Sequence, residues 1–183
     1  MDIYCARKKL VKGYGRAGVS RRCFDLMTAL GNTGCMALAI LNRQGVVATC
    51  EGDIPTLLSM CIAQRKFGIS GFQANLSRID GDKMLFAHCT VPLNMVEEYS
   101  YDTHFESGIG VAVHGVLPAG AARIFKLSPD CSEMFREEVE ILENQYNDGL
   151  CRTQILVDAP GLADYFLRSP IGNHHVIIPE RRQ

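Results

Sequence analysis

The hydrophobic period of the chain changes near residue 70, and no other sequence feature limits the possible folds as tightly. Ahead of that point the pattern alternates helix, strand and helix. An apolar helix over residues 36–41 follows the candidate cap Asn32-Thr33, and Asn42-Arg43-Gln44-Gly45 turns the chain. Residues 45–50 (GVVATC) then have the short, β-branched composition of a buried strand. Asp53 caps a further helix, Pro55 fits its first turn, and Ile54, Leu57, Leu58, Cys61 and Ile62 form its apolar stripe. Arg65 and Lys66 suit its C-terminal dipole, and Gly68 ends it. Beyond residue 70, strand-like runs appear at 83–91, 108–116, 121–127, 139–142, 151–157 and 176–178, with one short helix near 161–167. Turn chemistry separates the runs, as at Asp80-Gly81-Asp82, Ser128-Pro129-Asp130 and Asn147-Asp148-Gly149. The spacing predicts an α+β chain, an α/β fragment leading into a small antiparallel barrel or sandwich.

Composition narrows the function classes. Hydrophobic residues make up 47% and charged ones 21%, so the chain can bury a core and disorder is excluded. Nineteen Lys plus Arg against twenty Asp plus Glu leave a net charge of −1, which gives no broad attraction for nucleic acid or anionic lipid. The longest apolar stretches, 36–41 and 176–178, fall far short of the roughly 20 residues that span a bilayer. Met1-Asp2-Ile3, followed soon by Lys8, Lys9 and Lys12, has no apolar signal core, and the expected location is the cytosol. The eight cysteines form no CxxC pair, and several lie inside apolar runs, so buried reduced thiols are expected rather than disulfides or a zinc site.

The strand–loop–helix unit over 45–68 puts Glu51 just beyond the carboxyl end of a strand, where open α/β sheets place ligands. Glu51 and Asp53 flank Gly52, which permits a tight loop; the plainer alternative is a helix cap beside a solvated glutamate. Of the histidines, His104 and His114 are isolated on strands and read as ordinary residues. His88 shares a strand face with Met84 and Phe86, and a polar ring there needs a partner, such as a metal or a substrate hydroxyl. His174 and His175 follow Ser169-Pro170-Ile171-Gly172-Asn173, and on an extended chain only one of them can face a given site. Gly108-Ile109-Gly110 lacks the third glycine and the helix of a dinucleotide site. Glu137, Glu138, Glu140 and Glu143 read as a solvated acidic strand edge.

Several strings taken in order resemble the L-fucose isomerase-like family over nearly the whole chain. They are RCFDL at 22–26, GNTGCMALAILN at 31–42, CEGD at 50–53, FQANLS at 72–77, AHCTVPL at 87–93, THFESGIGVAV at 103–113 and GNHHV at 172–176. The resemblance implies the tail of a Rossmann-like α/β domain over 1–72, followed by a Greek-key β-barrel over 73–183. It implies an aldose–ketose isomerase module working through an enediol with a divalent metal, manganese first, on a monosaccharide. Glu51 takes the place of the family's first carboxylate, as metal ligand and base. The second carboxylate falls at Asn75, where an amide can coordinate but can neither balance charge nor take a proton. His88 and His175 correspond to histidine ligands, with His174 the alternative to His175.

Relatives of that kind carry several hundred residues ahead of the position of Met1, so an N-terminal partner chain or a homo-oligomer is expected to complete the cleft. Two other classes stay open. One is a non-catalytic carbohydrate-binding or assembly domain that keeps the isomerase fold, and the other is a metal-free structural subunit.

Overall fold

The computed structural model describes residues 2–15, 17–168 and 170–180; Met1 and Ser169, both used above, lie outside the described residues. The front half runs α1 (Asp2–Tyr14), β1 (Gly18–Ser20), α2 (Cys23–Leu30), α3 (Cys35–Arg43), β2 (Val47–Thr49) and α4 (Ile54–Phe67). α4 is built as its sequence demands: the Asp53 carboxylate accepts from the Thr56 N–H, Pro55 sits in the first turn, and Gly68 closes the helix in the left-handed region. Its buried face differs from the expected stripe. Thr56, Ser59, Met60 and Ala63 point inward, while Ile54, Leu58 and Ile62 are exposed. The inner face needs hydroxyls because the Ser59 Oγ accepts from the Leu127 N–H of the barrel, a contact that periodicity cannot anticipate.

α3 begins later than the proposed cap. Gly34 is its N-cap residue with no side-chain capping bond, and the Asn32 side-chain Oδ1 accepts from the Thr33 N–H instead. Buried Asn42 ties α3 to β2, donating to the Leu38 and Ala48 carbonyls and accepting from the Ala48 N–H. β1 and β2 pair in parallel, Gly18 with Val47 through Ser20 with Thr49. Two strands do not make a doubly wound sheet. The α/β character of this part is observed, whereas the Rossmann-like tail rests on the resemblance alone.

The rear half contains β3 (Phe72–Asp80), β4 (Lys83–His88), β5 (Glu98–Asp102), β6 (Ala112–Val116), β7 (Gly120–Leu127), β8 (Met134–Gln145), β9 (Thr153–Asp158), α5 (Ala163–Arg168) and β10 (His174–Pro179). Six strands close into an antiparallel barrel in the order β10-β3-β4-β9-β8-β7, and β5 with β6 forms a separate hairpin. β7, β8 and β9 are successive neighbours and β10 returns beside β7, the Greek-key order. The four glutamates of β8 are exposed: Glu140 is paired on both sides, whereas Glu137 and Glu138 pair with β7 alone and Glu143 with β9 alone, so three of them do lie where one side of the strand is open.

Phe72, Met84, Phe86, Ile124, Ile141, Ile155 and Ile177 are almost fully buried, each contributing roughly 1.5–3 kcal/mol. The same apolar cluster reaches Ala39, Val47, Met60 and Ala63 of the front half. All eight cysteines are free thiols. Among the described residues no helix is long and apolar enough to cross a membrane.

Candidate functional site

The loop from Cys50 to Asp53 leaves β2 and lies against the barrel where β3, β4, β7 and β10 approach it. Two features fix its path. The Cys50 N–H donates to the buried Gln73 side chain on β3, and the Gly52 N–H donates to the Arg21 carbonyl. Glu51 has φ of 61° and Gly52 of 70°, so a non-glycine residue occupies the left-handed region beside one that enters it freely. Backbone strain of about 1–2 kcal/mol at Glu51 is accepted for what its side chain reaches.

That side chain reaches two imidazoles. Glu51 Oε1 lies 3.6 Å from His88 Nε2 and Oε2 lies 3.4 Å from His174 Nε2, with the two rings 5.3 Å apart between centroids. Each far nitrogen has its own partner: His88 Nδ1 is 2.9 Å from Thr90 Oγ1, and His174 Nδ1 is 2.9 Å from Asp53 Oδ2. Asp53 in turn accepts from Lys126 Nζ at 3.2 Å, and the ammonium also donates to Thr56 Oγ1 at 2.6 Å. Lys126 is only 1% exposed.

The electrostatics follow from these contacts. The nearby imidazoles of His174 and then His88, first in weight, hold the Glu51 carboxyl well below the usual carboxylate range against the opposing cost of burial. Burial is the largest influence on Asp53 and pushes it up. His174, the Thr56 N–H and hydroxyl, and Lys126 together outweigh it and hold Asp53 low as well. Burial likewise works to lower His174, yet Asp53 and Glu51 raise it overall. Burial lowers the Lys126 ammonium, with Asp53 opposing.

The residues singled out from the sequence divide into two groups. Glu51 and His88 meet. Asn75 sits on β3 directly across from His174, and its Oδ1 is buried with no hydrogen-bond partner among the described residues. His175 does not join them; the imidazole that does is His174. Neighbouring residues on β10 face opposite ways, and His175 turns to Phe135, Tyr165 and Phe166, where its Nε2 is 2.9 Å from the Tyr165 hydroxyl. Burial, with the charges of Lys126 and His174, lowers His175 to about 3. Choosing between the two histidines required knowing which face of β10 the Cys50–Asp53 loop covers. His104 pairs with Ser107 and His114 packs on Tyr146, both outside the cluster. Gly110 owes its glycine to packing, since an added Cβ would collide with Thr33.

Sequence reasoning missed Lys126 and Gln73. Each carried a faint signal, a lone lysine in the apolar run Ile124-Phe125-Lys126-Leu127 and an amide between Phe72 and Ala74.

The donors present, oxygen and imidazole, are of kinds that can hold a divalent transition-metal cation. Separations of 3.4 and 3.6 Å are too long for good hydrogen bonds. Two donors at about 2.0–2.2 Å from one shared ion would stand at comparable spacing. Among the described residues His174 Nε2 is buried and lacks a hydrogen-bond partner, as does the Asn75 oxygen. Carboxylate and amide oxygens suit harder cations, and imidazole suits first-row transition metals. The Cys50 sulfur also lies within 4.8 Å of donor atoms of Glu51 and His88. Its contact with Cys23, with burial, pushes that thiol well above its ordinary pKa in the absence of a cation.

No family model matches the chain. Curated proteins similar to it include sulfoquinovose isomerases. The one from Clostridium sp. (strain MSTE9) is 28% identical over 149 residues, covering 73% of this chain and 32% of that protein. Those from Priestia aryabhattai and Priestia megaterium are each 29% identical over 129 residues, covering 66% of this chain and 29% of theirs. The chain spans about a third of the length of the curated relatives it matches. The similarity is to sugar isomerases, and none of these relatives is an L-fucose isomerase by name.

Proposed function

We propose that the chain is the metal-holding module of an aldose–ketose isomerase acting on a monosaccharide, with Glu51, His88, His174 and Asn75 as ligands of a divalent cation, manganese first. One observation carries the reading. Glu51 meets two imidazole Nε2 atoms, brought from strands far apart in sequence, and one of them, His174, pairs across the sheet with Asn75, whose Oδ1 is buried with no partner among the described residues.

When bound, such a cation polarises two adjacent sugar oxygens and offsets the negative charge that develops on them. Glu51, ionised at neutral pH, accepts the proton from one sugar carbon and returns it to the next, while the hydroxyl proton of the second oxygen passes to the first, so that no proton is gained or lost overall. Asp53 fixes the ring of His174 through Nδ1, and Thr90 does the same for His88, so that both Nε2 atoms aim at Glu51. Lys126 holds Asp53 in place. The relatives' name makes sulfoquinovose the first sugar to assay, followed by L-fucose and L-arabinose. The reading extends to a partner segment or a second copy that completes the cleft, to be tested alongside the chain itself.

The test is ketose formation from each sugar with manganese or with chelator, using the chain alone and with an upstream partner segment. Manganese-dependent turnover that disappears in Glu51→Gln is expected. Absence of turnover under every condition removes the catalytic claim. Neutral Asn75 favours one second reading, a sugar-binding domain without catalysis, which would show sugar binding by calorimetry but no product.

A further inference from the structure

A second polar cluster lies on the front half, apart from the groups assigned to the metal. Arg7 of α1 is 9% exposed, yet its Nε and Nη1 atoms are buried with no hydrogen-bond partner among the described residues, and the same holds for Nε of Arg21 after β1. Both line one open cavity of about 370 Å³, whose walls are otherwise apolar, with Leu10, Val19, Leu26 and Leu30 among them. The influences on Arg7 include no carboxylate: burial and then the charge of Arg21 lower its pKa to about 10, and only the thiols of Cys23 and Cys50 oppose them.

Taking one guanidinium out of water beside a second, half-buried one of like charge is costly, and a buried guanidinium with orphaned N–H groups is ordinarily paired. The planar fork of arginine matches an oxyanion two atoms at a time. We propose that Arg7 and Arg21 form a binding site for a small organic oxyanion, whose charged head lies between the guanidiniums and whose apolar part rests on Leu10, Val19, Leu26 and Leu30. The site is independent of the metal reading, because none of its residues is a proposed ligand.

Calorimetry on the full chain in metal-free Tris buffer tests it, with inorganic phosphate and hexanoate titrated separately. Saturable binding of at least one is expected. A preference for phosphate assigns a tetrahedral head, and a preference for hexanoate assigns a carboxylate with a tail on the apolar wall. Arg7→Met and Arg21→Gln should each weaken binding by about tenfold or more, while Lys12→Gln, an exposed cation on the same helix, leaves it unchanged. Arg7→Met should also unfold at higher temperature than the parent chain in ligand-free buffer and lose the ligand-dependent rise, which separates lost recognition from lost folding. No saturable binding of either ion up to about 50 mM, or equal affinity in Arg7→Met, overturns the proposal.

Discussion

Lys126 donates to Asp53 from a barrel strand 73 positions away, through an ammonium buried almost completely. The carboxylate it meets also caps α4 and holds Nδ1 of His174, so one side chain joins the front half, the barrel and the candidate ligand. Asp53→Asn would leave Lys126 buried without a counter-charge, and a loss of about 3–5 kcal/mol is expected in urea unfolding. Adding Lys126→Met should recover part of that loss, with a coupling of about 1–3 kcal/mol between the two sites. Additive losses would mean that the pair does not act as a unit.

The two neighbouring histidines should separate cleanly. His174→Ala is expected to weaken manganese binding by about 100-fold in calorimetry, since it removes a donor and leaves Asp53 with nothing to orient. His175→Phe keeps the aromatic packing and should leave manganese affinity unchanged. It should cost about 1–2 kcal/mol of stability, because the Tyr165 hydroxyl loses its partner. The reverse pattern would return the ligand role to His175.

Strain at Glu51 has a measurable sign. Glu51→Gln and Glu51→Gly both lose the charge, but only glycine relaxes the left-handed backbone. The glycine variant should therefore be the more stable of the two by about 1 kcal/mol, and neither should bind manganese. Equal stability would show that the loop does not hold φ at 61° against resistance.

Asn75 offers a gain of function. Asn75→Asp places a second carboxylate opposite His174, and manganese affinity should rise by about tenfold. In chelator the same variant should unfold at lower temperature than the parent chain, because two nearby carboxylates repel without a cation. Unchanged affinity would remove Asn75 from the ligand set.

The local parts of this protein were legible in its residues. Asp53, Pro55 and Gly68 marked α4 nearly to its ends, because caps and breakers act within a turn of where they stand. β7 and β9 were found within two residues, and His88 was placed on the buried face it occupies. Elements with weaker local signals went unassigned. β3 mixes Gln73, Asn75 and Ser77 into its run, β5 is almost wholly exposed, and α1 carries many charges.

By itself the sequence determined that a strand would end at Glu51, that a capped helix would follow, that strands would dominate the rear half, and that one histidine of the tail pair would face away from any common site. Tertiary structure alone decided that the facing ring is His174, that Lys126 stands behind Asp53, and that Arg7 and Arg21 share a cavity with no counter-charge among the described residues. Such relationships depend on strand register and on how the front half sits against a closed barrel. Those are set by packing over the whole chain, whereas capping and alternation are settled between near neighbours.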